Sequence, residues 1–218
     1  MNSASLSVPD STSARPSPPD PVVFVVDDDI SVREALELLI LCTGVRVETF
    51  ASAEEFLLRE RPGTPSCVIL DLNLPDINGL EVQERIAASG GGMPIIFITA
   101  YGDVPVTVRA MKAGAVEFLT KPLRDDVLLN AVEEALRCSH AALAEEFETR
   151  MIRDRYKLLS LRERQVMDLV VNGLLNKQVG GALGISEITV KAHRARAMQK
   201  MHAGSLAELV KMAARLRK

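Results

Sequence analysis

The stretch Val23-Phe24-Val25-Val26 runs without a break into Asp27, Asp28 and Asp29. The same arrangement recurs further along the chain. CVIL (67–70) leads into Asp71, IIFI (95–98) into Thr99, and VEFLT (116–120) into Lys121 followed by Pro122. Each polar residue stands where an apolar, β-prone run stops. Runs of this kind suit strands buried on both faces of a parallel sheet. The C-terminal ends of such strands deliver their residues to one edge, where α/β sheets carry their functional crevice. Three carboxylates, a hydroxyl and an amine gathered there make a site for a divalent metal and a phosphoryl group.

Outward from these motifs, strand-like runs fall at about 22–27, 45–49, 67–70, 94–99 and 115–119. Helical patterns lie near 31–43, 52–60, 78–89 and 103–113, and another begins near Arg124. Regular β–α alternation with short links predicts a parallel sheet covered on both sides. Gly44, Gly63, Gly79, Gly90–Gly92 and Gly114 sit at the joints, as turn chemistry expects. The expected fold is an α/β flavodoxin-like, doubly wound domain of five parallel strands and five helices. From Leu123 to about Lys157 there is neither Gly nor Pro. Val127, Leu128, Val132 and Leu136 are spaced to pack on that domain. The more charged continuation reads as the same helix running on as a semi-rigid linker.

Composition bounds the function. The chain has 218 residues, 47% hydrophobic and 25% charged, and no apolar run approaches the ~20 residues needed to cross a bilayer. Residues 1–21 are mostly Ser, Pro, Asp and Thr; they lack a signal peptide's apolar core and read as a disordered leader. Cys42, Cys67 and Cys138 follow no metal-ligand spacing, which fits a reduced cytoplasm. The net charge of −3 hides an asymmetry: from Tyr156 onward, 12 Lys/Arg face 4 Asp/Glu, a net of +8. The remainder holds 14 against 25, a net of −11. Two domains of opposite sign follow, the basic one suited to a polyanion.

The basic part carries repeated helix-start signals. Ser160 with Glu163 and Ser205 with Glu208 match capping boxes,. Asn176 is expected to cap a short helix, KQVGGAL, ending at Gly184, and Ser186 to cap EITVKAHRARAMQKM. Helix, short helix, tight Gly turn, basic helix and closing helix make a small all-α helix-turn-helix domain. On the basic helix, Ile188, Ala192, Ala195 and Met198–Gln199 form one stripe, flanked by Lys191, His193, Arg194, Arg196 and Lys200. Small side chains beside long basic ones let a helix lie deep in a major groove. Gly180 and Gly181 each cost roughly 1 kcal/mol in a helix relative to Ala, unless close helix crossing requires them.

At the acidic edge, Mg²⁺ (or Mn²⁺) needs hard oxygen ligands. Asp28 and Asp71 can supply carboxylates, Asn73 a backbone carbonyl, and Asp27 a contact through water. Asp71 can then act as nucleophile, with Thr99 and Lys121 pairing to phosphoryl oxygens.

Residues 22–137 resemble the receiver domain of two-component response regulators. The resemblance rests on Asp27–Asp28, on Asp71 within VILDLNLPDING, on Thr99–Ala100 within FITA, and on Lys121–Pro122 within FLTKP. TAYGDVPVTVRAMKAGAVEFLTKP is especially similar to the nitrogen-fixation-type branch. The resemblance implies that Asp71 accepts phosphate from the phosphohistidine of a sensor histidine kinase. It implies that Asp28, Asp71 and the Asn73 carbonyl hold the metal, and that Thr99 and Lys121 sense the phosphoryl group. It further implies that Phe118 is an aromatic switch and that the bond before Pro122 is cis. Val104, Val106, Val108, Met111 and Ala115 are expected to form a face for homodimerisation on phosphorylation.

Residues 158–217 resemble the LuxR-type helix-turn-helix, through LSLRERQVMDLVVNGLLNKQVGGALGISEITVKAHRARAMQKM and SLAELVKMAARL. This implies Glu187–Met201 as recognition helix, with Lys191, Ala192 and Ala195 nearest the bases. Thr189, His193, Arg194 and Arg196 would make backbone or flanking contacts. The family often has larger or polar residues at Ala192 and Ala195, so base readout by those two side chains stays open.

The expected domains are a leader (1–21), receiver (22–137), helical linker (138–157) and DNA-binding domain (158–218). The expected function is that of a cytoplasmic transcriptional response regulator, an activator meeting promoter DNA and RNA polymerase. It has no catalytic turnover beyond taking a phosphoryl group from a donor and losing it slowly. Two alternatives stand beside it. A phosphohydrolase of the haloacid dehalogenase type needs an acid/base Asp two residues after its nucleophile, where this chain has Asn73. A phosphorylation-independent DNA-binding protein would use the receiver only as a dimerisation scaffold, and the intact Asp71–Thr99–Lys121 set disfavours that.

Overall fold

A computed structural model describes residues 20–90 and 92–217; the leader expected over 1–21 lies outside them apart from Asp20 and Pro21. Strands β1 (Val22–Val26), β2 (Arg46–Phe50), β3 (Ser66–Asp71), β4 (Ile95–Thr99) and β5 (Glu117–Thr120) alternate with helices. These are α1 (Ile30–Leu41), α2 (Ala53–Leu58), α3 (Gly79–Ala88), α4 (Val104–Lys112) and α5 (Asp125–Lys157). All strand pairs are parallel, in the order β2-β1-β3-β4-β5, which is the doubly wound sheet expected.

The side-chain period of two explains why the strand runs are apolar throughout. Val22, Phe24, Val26, Val68, Leu70 and Phe97 point into one core, with Phe56, Val82, Ile86 and Ala110 from α2, α3 and α4. Val23, Val25, Ile69, Ile96 and Ile98 point into the other, with Leu36 and Ile40 of α1 and Leu128 and Val132 of α5. Each fully buried Val, Ile, Leu or Phe contributes roughly 1.5–3 kcal/mol. Phe24, Phe50 and Phe56 add a mutual cluster with ring centroids 5.6 to 6.0 Å apart. Register then levels the strand ends: Asp71 lies opposite Ile98, and Thr99 opposite Thr120. Lys121 N donates to Thr99 O at 2.8 Å, so Lys121 leaves β5 beside the other site residues.

α5 is helical through Ser139, whose buried hydroxyl accepts from Ser66 N at 2.9 Å. The chain divides into two compact units at His140 and Ala141. The second contains α6 (Leu161–Val171), α7 (Asn176–Leu183), α8 (Glu187–Met201) and α9 (Leu206–Leu216). Its core gathers Leu159, Met167, Ala197, Met201 and Leu209. Ile152 and Tyr156 pack into the same core, so the end of the stretch expected as linker contributes to this unit's interior.

Ser160 and Ser186 cap their helices as expected, the Ser205–Glu208 box is half formed because Glu208 Oε2 accepts from Gly204 N rather than Ser205 N, and the Asn176 cap is not found. Ser160 and Glu163 form the reciprocal capping box, and Ser186 and Ser205 accept from Thr189 N and Glu208 N. Asn176, however, is the first residue of α7, not its cap. The cap position is Leu175, whose N–H is satisfied by Gln178 Oε1 at 2.8 Å. The Asn176 amide oxygen instead accepts from Arg194 of α8 at 3.4 Å. The two adjacent glycines also separate. A Cβ on Gly180 would lie 2.7 Å from Ile185 O, whereas one on Gly181 would meet nothing within 4 Å. Only Gly180 is required by the close turn.

Candidate functional site

Asp27 follows β1 and is fully buried; its Oδ1 accepts from Asp29 N at 2.9 Å. Asp29 itself caps α1, accepting from Ser31 N at 2.8 Å, so the third Asp of the run is structural. Asp71 ends β3 and its Oδ1 accepts from Asn73 N at 2.8 Å. Lys121 Nζ donates to Asp27 Oδ2 and to Asp71 Oδ2, both at 2.7 Å. One ammonium thus bridges two carboxylates that would otherwise repel. Asp28 is exposed, and carboxylate oxygens of Asp27, Asp28 and Asp71 lie within 4.8 Å of one another. Such a group of hard oxygens fits a divalent cation.

Electrostatics follow from this packing. Burial raises the Asp27 carboxyl above its ordinary value, outweighing its hydrogen bond from Lys121. Burial pulls the Lys121 ammonium down, but its hydrogen bonds to Asp27 and Asp71 outweigh that and hold it above the usual lysine range. The lysine therefore stays charged. By contrast, burial pushes the Cys67 thiol up to about 12, leaving it inert.

Thr99 is buried, and its hydroxyl is engaged on several sides. It accepts from Asn73 Nδ2 at 3.1 Å and from Tyr101 N at 3.2 Å, and donates to Tyr101 O at 3.2 Å. Phe118 is half-buried, its ring 6.1 Å from that of Phe97. The Lys121–Pro122 bond is cis, as expected. An open cavity of about 1130 Å³ lies beside Asp71, lined by Asn73, Asn78, Tyr101, Asp103 and Arg109 among others.

Two contributors escaped the sequence reading. Arg33 of α1 donates from Nη1 to Asp27 O at 2.6 Å, pinning the acidic loop; its place after the Asp run was the available signal. Gly79 starts α3, where a Cβ would lie 2.9 Å from Asp71 O, so the helix can approach the site only with glycine there. The expected dimer face is smaller than its sequence suggested. Val104, Val108 and Met111 are exposed, but Ala115 is buried and Val106 packs against the core.

In the second unit, Val190, Ala197 and Met201 bury one face of α8. The opposite face exposes Ile188, Lys191, Ala192, Ala195, Arg196 and Gln199. Met198 packs inward, unlike its neighbour Gln199. Thr189 is exposed, and its hydroxyl lies 2.8 Å from that of Ser186. His193 and Arg194 are half-buried on the flank. Lys200 pairs with buried Glu163 of α6 at 2.7 Å, a clasp between the two helices.

An acidic site of receiver type joined to a basic helix-turn-helix defines a class, and the chain belongs to the response regulators with a LuxR-type DNA-binding domain. The response regulator receiver domain matches residues 23–133, and the LuxR family of bacterial regulatory proteins matches residues 157–213. Nodulation protein W of Bradyrhizobium diazoefficiens is 47% identical over 191 residues, 88% of this chain and 84% of that protein. The structure of the response regulator StyR superposes with a TM-score of 0.78 at 46% identity, covering 90% of this chain and 99% of that one. Full-length FixJ from B. japonicum gives 0.54 at 38% identity, covering 92% and 98%. The chain is thus a transcriptional response regulator. Its receiver implies a sensor kinase as partner and its second domain implies DNA. No helix among the described residues is long and apolar enough to cross a membrane.

Proposed function

We propose that Asp71 is the phosphoacceptor and that its phosphorylation by a sensor histidine kinase switches the DNA-binding activity. The observation that carries this reading is the Lys121 ammonium bridging Asp71 and buried Asp27, with Thr99 on the adjoining strand end. In the transfer, an Asp71 carboxylate oxygen attacks the phosphorus, a P–O bond forms, and the P–N bond to the kinase imidazole breaks, the imidazole taking up a proton. Asp28, Asp71 and the Asn73 carbonyl would hold Mg²⁺ (or Mn²⁺), with Asp27 contributing through water. When bound, that cation supplies charge that offsets the carboxylates and the phosphoryl oxygens.

Lys121 pairs with one phosphoryl oxygen, giving up a carboxylate partner. Thr99 turns to another, giving up its contacts with Asn73 and Tyr101, and Phe118 moves into the space it leaves. These shifts alter the surface around Val104, Val108 and Met111, which closes against a second copy. The dimer then presents two recognition helices to promoter DNA and engages RNA polymerase as an activator in the cytoplasm. Lys191, Ala192 and Ala195 lie nearest the bases, with Thr189, His193, Arg194 and Arg196 on the backbone or flanks.

Asp71→Asn tests the core of the reading. The variant should fold as the wild type, by circular dichroism, and take no label from acetyl phosphate with Mg²⁺. Undiminished labelling would place the phosphoacceptor elsewhere.

A further inference from the structure

We infer that Ile188 is a specificity-determining residue that reads a thymine by packing on its C5-methyl group in the major groove. This deepens the DNA-binding reading and rests on α8 being the helix that enters the groove.

Ile188 is 80% exposed, the most exposed large apolar side chain described in the second unit. It is not a core residue, since the core face of α8 runs through Val190, Ala197 and Met201. Helical spacing puts it on one face with Lys191, Ala192 and Ala195 at i+3, i+4 and i+7, and all four are exposed. A single exposed isoleucine is ordinary on a protein surface; what sets this one apart is its place on the exposed face that carries Lys191.

Charge selects the occupant. The segment from Tyr156 onward carries a net of +8; Lys191 lies within one turn of Ile188, and Arg196 is exposed two turns further along α8. A polyanion covers such a face. Position selects the contact, because Ile188 is the second residue of α8 and the N-terminal residues of a recognition helix meet base edges. Ala192 and Ala195 are short, so they admit the backbone closely without reaching far themselves. An aliphatic side chain has one matching feature on a base edge, the methyl group of thymine. Lys191, held at 3.3 Å from Glu187 in the free protein, would read a neighbouring guanine after leaving that pair.

The test uses the full-length protein labelled with acetyl phosphate. Duplexes enriched from a random library are re-made with each thymine replaced singly by deoxyuridine, which deletes only the methyl group. Wild type should lose about four-fold in affinity at one position per half-site, the factor for one methyl group returned to water. Ile188→Ala should bind the parent duplex about as weakly as wild type binds that deoxyuridine duplex, and should not respond to the substitution there. Ile188→Val should keep part of the response. A flat scan with wild type, or an Ile188→Ala protein as sensitive as wild type, would overturn the inference. It would leave Ile188 as the seat of a protein contact rather than a base contact. Enrichment of no duplex at all would overturn the groove assignment itself, and this inference with it.

Discussion

At the scale of single residues, the receiver holds a set of opposed demands around one ammonium. Lys121 satisfies Asp27 and Asp71 together, and any phosphoryl group on Asp71 must draw it away. Thr99 is held in parallel by the Asn73 amide. A neutral hydrogen bond nets about 1 kcal/mol, so the amide biases the threonine toward its unphosphorylated position. Asn73→Ala should therefore lower the acetyl phosphate concentration needed for half-maximal labelling, by up to about five-fold. An unchanged half-point would mean that the amide does not restrain the switch. Asn73 is expected from the sequence as a carbonyl ligand, and it stands where a phosphohydrolase would need a second Asp. Its side-chain bond to Thr99 was not legible there, because those residues are 26 positions apart and meet only through strand register.

At the scale of elements, the turn between α7 and α8 shows how sequence signals can be individually ambiguous. Two adjacent glycines read alike from composition, yet only one faces the backbone of Ile185. Gly181→Ala should raise the stability of the second unit by up to roughly 1 kcal/mol, measured by denaturant unfolding. Gly180→Ala should lower it, because the new methyl group has no room beside Ile185 O. Equal effects of the two would contradict the packing seen. Glu163 is a second case. Its hydrogen bond from Lys200 holds the carboxyl below the ordinary glutamate range, against the desolvation that raises it. A depressed folded-state value means that the stabilisation is fully present above the unfolded value, about 4.3. It is lost as pH falls further, through the folded value. Melting temperatures should therefore be flat from neutrality down to the upper 4s and fall below that. Glu163→Gln should weaken the dependence, and an unaltered acid limb would exclude this pair as its source.

At the scale of the whole molecule, two units of opposite charge share one chain, the acidic one carrying the proposed phosphoryl site and the basic one the helix proposed to enter the groove. Phosphorylation is expected to act between copies, through exposed Val104, Val108 and Met111 of α4. Molecular mass by light scattering should double on labelling with acetyl phosphate, and Val108→Asp should keep the labelled protein monomeric. An unchanged mass at working concentration would remove dimerisation from the mechanism. DNA affinity should fall steeply with added salt, as phosphate contacts release counterions.

How much of this was legible beforehand depends on the range of the physics involved. The sequence alone determined the strand runs, the residues that end them, the helix periods and most of the caps. Each of these is set by neighbours a few positions away through side-chain period and local hydrogen bonding. It also determined the charge division, a matter of composition. Tertiary structure alone decided that Lys121 lies between carboxylates 94 and 50 residues distant, and that Arg33 pins their loop. It decided that Ala115 is core rather than interface, that Asn176 serves α8 rather than capping α7, and that Ile188 stands bare beside Lys191. These depend on register and on which helix faces meet. Parallel pairing and core packing set both across the chain, beyond the reach of any local pattern.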